Sequence, residues 1–207
     1  FMETSKNKFN FSKNIINPLT KKKVKSWYKL GETYDMVFGE LGSSYEECRA
    51  ECVGLYLSSF EKMSDIFGLK KHFSDICYVN WLNMILSGIR SLLMYDIKSK
   101  RWSQAHSHAR YIIFNVLRES KIFKITKTKN DFKVDLRLDK INNEGIKCIS
   151  DFLIKLQVYK STANFKEASK LFNKYSSIDK YVLDLREIVR KKKKSRSVFI
   201  QPTLKMK

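Results

Sequence analysis

No proline stands between Pro18 and Pro202. Proline ends helices through its fixed φ and missing N–H, so almost the whole chain is free to run in helices. The apolar residues use that freedom. Ile76, Val79, Leu82, Leu86, Ile89 and Leu93 recur every three to four positions, which predicts a helix over 75–95. The same reasoning gives helices from Ser43 or Ser44 to about 67, over 101–119, through Ile146, Ile149, Leu153 and Leu156, and near 165–175 and 178–189. The period changes where Phe132, Val134, Leu136 and Leu138 alternate with Lys133, Asp135, Arg137 and Asp139. A repeat of two marks a strand, and "KND" before it turns the chain back on "FKITKT". "VFIQP" (198–202) reads as a last strand, and 1–28 as polar and irregular with a turn at "NPLT". The expected fold is mainly α, a helical layer with one β-hairpin at about 122–139 and a C-terminal strand.

Composition narrows the class. A length of 207 residues with 43% hydrophobic content suits one domain core or one lobe of something larger. No apolar run reaches the length of a bilayer span, so no membrane partner is expected. Cys48, Cys52, Cys77 and Cys148 show no short-spaced zinc pattern, which points to reduced thiols and a cytoplasmic protein. The balance of 41 basic and 21 acidic residues gives +20. That charge suits an anionic partner, but the lysines are scattered through "TKKKVK", "GLKK" and "SKNK", and only "RKKKKSR" (190–196) is a cluster. A solvated basic surface is the simpler reading, and nucleic acid is not the expected partner. The first residue is Phe rather than Met, so a processed chain or a fragment is expected.

The densest chemistry lies in "SSYEECRAECVGLYL" (43–57), where Glu46, Glu47 and Glu51 fall within six residues. Ser43 or Ser44 can cap a helix, with Glu46 or Glu47 three residues on completing a capping box. The helix macrodipole accounts for acids at such an end, but the residues after Glu51 are apolar around most of the circumference, as in a buried helix. Glu47 and Glu51 share a face, and Glu46 lies about a third of a turn away. Buried carboxylates need a cation or hydrogen-bond donors. Arg49 is one candidate and a metal is another.

"YEECRAE" followed by "VGLYL" resembles the second zinc-site motif of the dipeptidyl peptidase III family, the M49 metallopeptidases. "INP…SWYKLGETYD", "YVNWLNM", "QAHSHAR", "LQVYKST" and "SRSVFIQP" resemble the same family in the same order. The resemblance implies one zinc ion, held by Glu47 and by two histidines of a His-Glu-x-x-Gly-His motif. It implies that Glu46 and Glu51 accept hydrogen bonds from those histidines. It implies that His106 stabilises the oxyanion of the tetrahedral intermediate, and that Gln104, Arg110, Arg196, Tyr34 and Asp35 line the substrate cleft. Short peptides are the implied substrates, cut to release N-terminal dipeptides, and the parent protein is expected to be monomeric.

The departures are as specific as the match. The His-Glu-x-x-Gly-His motif stands nowhere in the 207 residues, whose histidines are His72, His106 and His108; it is expected just before Phe1. One carboxylate does not make a catalytic zinc site, so the chain alone is expected to be inactive. Ser197 replaces the family's usual Lys, and Tyr34 its usual Trp. His108 has no motif role and is expected at the surface. Residues 1–197 are expected to be part of the helical zinc-bearing lobe, and 198–207 the return into a second lobe. The alternatives are a degenerate pseudoenzyme and a basic helical module that binds nucleic acid or acidic partners.

Overall fold

The structure, a computed structural model, describes residues 1–193. The expected C-terminal strand, the 198–207 return segment and Arg196 lie outside the described residues. In the N-terminal segment β1 (Glu3–Ser5) pairs antiparallel with β2 (Lys8–Phe9). Helices α1 (Tyr34–Phe38) and α2 (Gly42–Leu57) follow, joined by the 3-10 turn Gly39–Leu41. Next come α3 (Glu61–Ile66) and α4 (Phe73–Ser91). The strands β3 (Tyr95–Asp96) and β4 (Arg101–Trp102) pair antiparallel before α5 (Ala105–Glu119). A hairpin of β5 (Phe123–Lys127) and β6 (Phe132–Leu136) leads to the short α6 (Leu138–Lys140) and the π-helical turn Ile141–Gly145. The chain then runs through α7 (Ile146–Ser161), α8 (Phe165–Tyr175) and α9 (Lys180–Lys192).

The core is built on α5, which packs against α4 on one side and α2 on the other. Its Tyr111, Ile112, Ile113, Phe114 and Leu117 are fully buried, as are Trp81, Ile85 and Ile89 of α4. Two glycines let the backbones close. A Cβ on Gly88 would stand 2.4 Å from Phe114 Cβ, and one on Gly145 would stand 2.8 Å from the Trp81 ring. Cys48, Cys52 and Cys77 are buried thiols, and burial first, then Cys52, pushes the Cys48 pKa up.

Several expectations are corrected. The helix foreseen to run to about 67 breaks after Leu57, because the Ser58 and Ser59 hydroxyls both donate to the Leu55 carbonyl and Phe60 turns extended. Such back-bonding competes with the helix ladder, and Ser59 Oγ also accepts from Trp81 Nε1 at 2.9 Å. No capping box forms. Helix α2 grows straight out of the 3-10 turn, with Leu41 at its N-cap and no acid in its first turn. Nor is α2 buried all round: Tyr45, Cys48, Cys52 and Leu55 form one inward stripe, and Gly54 and Leu57 are exposed. The 101–119 helix starts at Ala105, because Arg101 and Trp102 are taken by β4. The extra ladders β1–β2 and β3–β4 are two or three residues per strand, too short to carry a period.

The run Lys70–Met94 is long and apolar enough, by length and composition, to cross a membrane, contrary to the expectation. Of its apolar residues, Cys77, Trp81, Ile85 and Ile89 are sealed in the core, as the centre of a helical bundle also requires, while Val79 is exposed.

The candidate active-site cleft

Glu47 and Glu51 are one helical turn apart on the open side of α2. His106 and Arg110 are one turn apart on α5. Packing of α2 on α5 brings the four together. His106 Nδ1 lies 3.2 Å from Glu47 Oε2 and 3.3 Å from Glu51 Oε1. Arg110 donates to Glu51 Oε1 from Nε and from its terminal nitrogen, both at 2.7 Å. Carboxylates only accept, so the ring proton facing them sits on Nδ1. Side-chain exposure is 33% at Glu47, 18% at Glu51 and 46% at His106, so the acids are half-buried and reach solvent through the cleft.

These residues wall an open cleft of about 540 Å³ between α2, α4 and α5. Ala50, Gly54, Leu55 and Ser58 continue the α2 wall away from Glu47. The facing wall is Asn80, Asn83, Met84 and Ser87 of α4. The sequence reading assigned no role to these α4 residues. The available signal was polar groups at i, i+3 and i+7 on a helix otherwise apolar enough to span a bilayer.

Glu46 turns the other way. Its Oε1 accepts from Arg49, at 2.9 Å from Nε, and its Oε2 from Lys160 of α7. Burial pushes this carboxyl up, but the Arg49 and Lys160 hydrogen bonds hold it below the ordinary carboxylate value overall. The Lys160 ammonium also lies 4.8 Å from the centre of the Tyr34 ring. Tyr34 stacks on Phe38 and donates from its hydroxyl to the Gly42 carbonyl at 2.8 Å. Asp35 is exposed in the first turn of α1. Tyr34, Asp35 and Glu46 therefore do not line the cleft that Glu47 faces.

Gln104 is the N-cap of α5 rather than a residue within it, its Oε1 accepting from Ser107 N at 2.5 Å. His108 is half-buried rather than fully exposed at the surface. Its ring stacks on Trp102 at 5.0 Å, and its Nε2 meets Ser176 Oγ at 2.8 Å. Burial lowers its pKa to about 4.

Among the described residues no three His, Cys, Asp or Glu side chains converge as a metal-binding set. Glu47 does fit a zinc ion as one donor: a carboxylate on a cleft wall, open to solvent, is an ordinary zinc ligand. The remaining ligands would have to come from outside this cleft's described residues.

A family model described as peptidase family M49 matches residues 1–207. Dipeptidyl peptidase 3 of Dictyostelium discoideum is 45% identical over 196 residues, 90% of this chain and 28% of that protein. Dipeptidyl peptidase 3 of Nematostella vectensis is 42% identical over 210 residues, 97% of this chain and 29% of that protein. The solved structure of DPP III from Caldithrix abyssi superposes with a TM-score of 0.53, over 76% of this chain and 27% of that one. At 20% identity that likeness speaks to the fold alone. The chain thus spans less than a third of the length of the curated relatives it matches. The carboxylates of α2, the histidine and arginine of α5 and a family match along every residue lead to one conclusion: the chain belongs to peptidase family M49.

Proposed function

We propose that this chain is part of the zinc-bearing helical lobe of a dipeptidyl peptidase that releases N-terminal dipeptides from short peptides. The observation that carries the reading is the convergence of Glu47, Glu51, His106 and Arg110 on one wall of one cleft. In this reading Glu47 gives one carboxylate ligand to the zinc, and two histidines of the parent polypeptide give the others. Bound zinc would polarise the scissile carbonyl and acidify a water.

The chain's own residues position the groups around that reaction. Glu47 and Glu51 hold the proton on His106 Nδ1 and fix the ring plane. Nε2, the ring nitrogen the two acids leave free, is the one that can meet the oxygen that gains charge as the peptide carbonyl becomes tetrahedral. Arg110 spends two of its donors on Glu51, which keeps that carboxylate beside the histidine. The remaining guanidinium donors are available to substrate carbonyls. Glu46 acts through packing: held by Arg49 and Lys160, it fixes the rotation of α2 and so the aim of Glu47. In this reading the parent is a cytoplasmic monomer acting on short peptides.

The test is hydrolysis of a dipeptidyl arylamide by the full-length polypeptide, before and after zinc removal. Release of the dipeptide, lost with zinc and lost in Glu47→Ala, supports the reading. A zinc-loaded wild type that binds the substrate without cleaving it would make the parent a pseudoenzyme.

A further inference from the structure

Gly54 is a glycine that this fold does not need. It sits inside α2, where glycine costs about 1 kcal/mol relative to alanine. A Cβ there would meet nothing within 4 Å. Gly88 and Gly145 are required by close approach, and Gly31, Gly39 and Gly68 by positive φ. Gly54 has neither reason, yet it lies on the α2 wall of the cleft, facing α4.

The opposite wall is chemically suited to a peptide backbone. Asn80 and Asn83 are exposed, and among the described residues no hydrogen bond engages either side-chain amide. Each such amide offers two donors and an acceptor, the complement of a peptide N–H and C=O. Asn83 and Ser87 are four apart on the helix, a rise of about 6 Å. Two residues of extended peptide advance about 6.8 Å, so an extended chain laid along α4 meets a polar group at nearly every second residue. The groups are neutral, so they read backbone rather than side-chain charge.

The length of the trough assigns the half of the substrate. From Glu47 to Ser58 the α2 wall is about 16 Å long. The released dipeptide occupies only about 7 Å in extended form. We propose that the trough between Gly54 and the Asn80–Asn83–Ser87 face is the run of subsites for the leaving half of the peptide, and that Gly54 is a specificity-determining position that keeps it open. This rests on the peptidase reading above.

The experiment uses the full-length zinc-loaded polypeptide and two substrates, a dipeptidyl arylamide and an octapeptide. Gly54→Ala is expected to keep or raise the melting temperature and to keep the zinc content. Gly54→Leu is expected to raise KM for the octapeptide by about tenfold or more, with kcat/KM for the arylamide within about twofold of wild type. Asn83→Ala is expected to raise the octapeptide KM in the same selective way. A fall in melting temperature or zinc content in Gly54→Ala overturns the proposal, since another segment of the polypeptide then packs on this wall. Equal losses on both substrates in Gly54→Leu also overturn it. If wild type cleaves neither substrate, the peptidase reading fails, and calorimetry with the uncleaved octapeptide decides the trough. Binding by wild type that is lost in Gly54→Leu supports it, and equal binding by both overturns it.

Discussion

The imidazole of His106 is anchored on Glu47, Nδ1 to Oε2 at 3.2 Å, with Glu51 Oε1 at 3.3 Å from the same nitrogen. Two acceptors on one nitrogen leave the other to serve the cleft. His106→Ala in the full-length polypeptide is therefore expected to lower kcat by about 10²–10³, the usual cost of one oxyanion donor, with a smaller change in KM. His106→Gln, which keeps a donor, is expected to recover part of the loss. Steady-state kinetics on a dipeptidyl arylamide checks both. Unchanged kcat in His106→Ala would remove the ring from the chemistry.

The tether at Glu46 is half-exposed, so its energy is modest. Lys160→Met removes one of the two cations on Glu46 and is expected to destabilise the fold by no more than about 1 kcal/mol. The pH dependence is sharper. The folded Glu46 carboxyl is held below its unfolded value, so its contribution is present above the ordinary carboxylate pKa and is lost as pH falls through the folded one. Lys160→Met is expected to shrink that acid-limb loss, and Glu46→Gln to abolish it. Urea titrations at pH values stepped downward from about 5, just above the ordinary Glu pKa, measure it.

The long helices and the β5–β6 hairpin were legible because period is a local signal. Phe132, Val134 and Leu136 alternate along β6, and Ile149 and Leu156 fall in the buried stripe of α7, which Phe152 completes rather than the expected Leu153. The break after Leu57 was hidden because it depends on Ser59 serving Trp81, a partner 22 residues away. The two-residue strands β3 and β4 hold too few residues for any pattern. In the cleft, the angular split of Glu46 from Glu47 and Glu51 was readable from helix geometry alone. Its consequence was not: Lys160 lies 114 residues from Glu46, and nothing local ties them. The α4 wall escaped because its asparagines sit inside a run that reads as core.

The contact of α4 with α5 passes through Gly88. A methyl there would stand 2.4 Å from Phe114 Cβ and 2.8 Å from the Arg110 carbonyl oxygen, and neither is the end of a flexible chain. Gly88→Ala is expected to push the helices apart and to destabilise by about 1–3 kcal/mol or more, despite alanine's higher helix propensity. Because the strained carbonyl belongs to Arg110, the same variant is expected to disturb the Arg110–Glu51 pair and to lower activity. A melting temperature at or above wild type would contradict the close approach.

His108 is a second titrating element, separate from the cleft. Its Nε2 faces Ser176 Oγ at 2.8 Å, and that hydroxyl donates in turn to the Phe172 carbonyl at 2.8 Å. The hydroxyl is thus an acceptor toward the ring, which places the proton of the neutral imidazole on Nε2. Burial lowers the folded pKa to about 4 from an ordinary 6.5. The unfolded chain therefore takes up a proton that the folded chain refuses. Stability from this group is fully present above about pH 6.5, declines as pH falls, and levels off below about pH 4, a loss of up to about 3 kcal/mol. His108→Phe keeps a ring to stack on Trp102 and carries no titrating proton. It is expected to cost stability at pH 7.5 through the lost Ser176 bond, and to flatten the decline between pH 6.5 and 4. Thermal unfolding of both proteins across that window decides the matter. Parallel curves would mean that the ring takes up its proton equally well in the folded state.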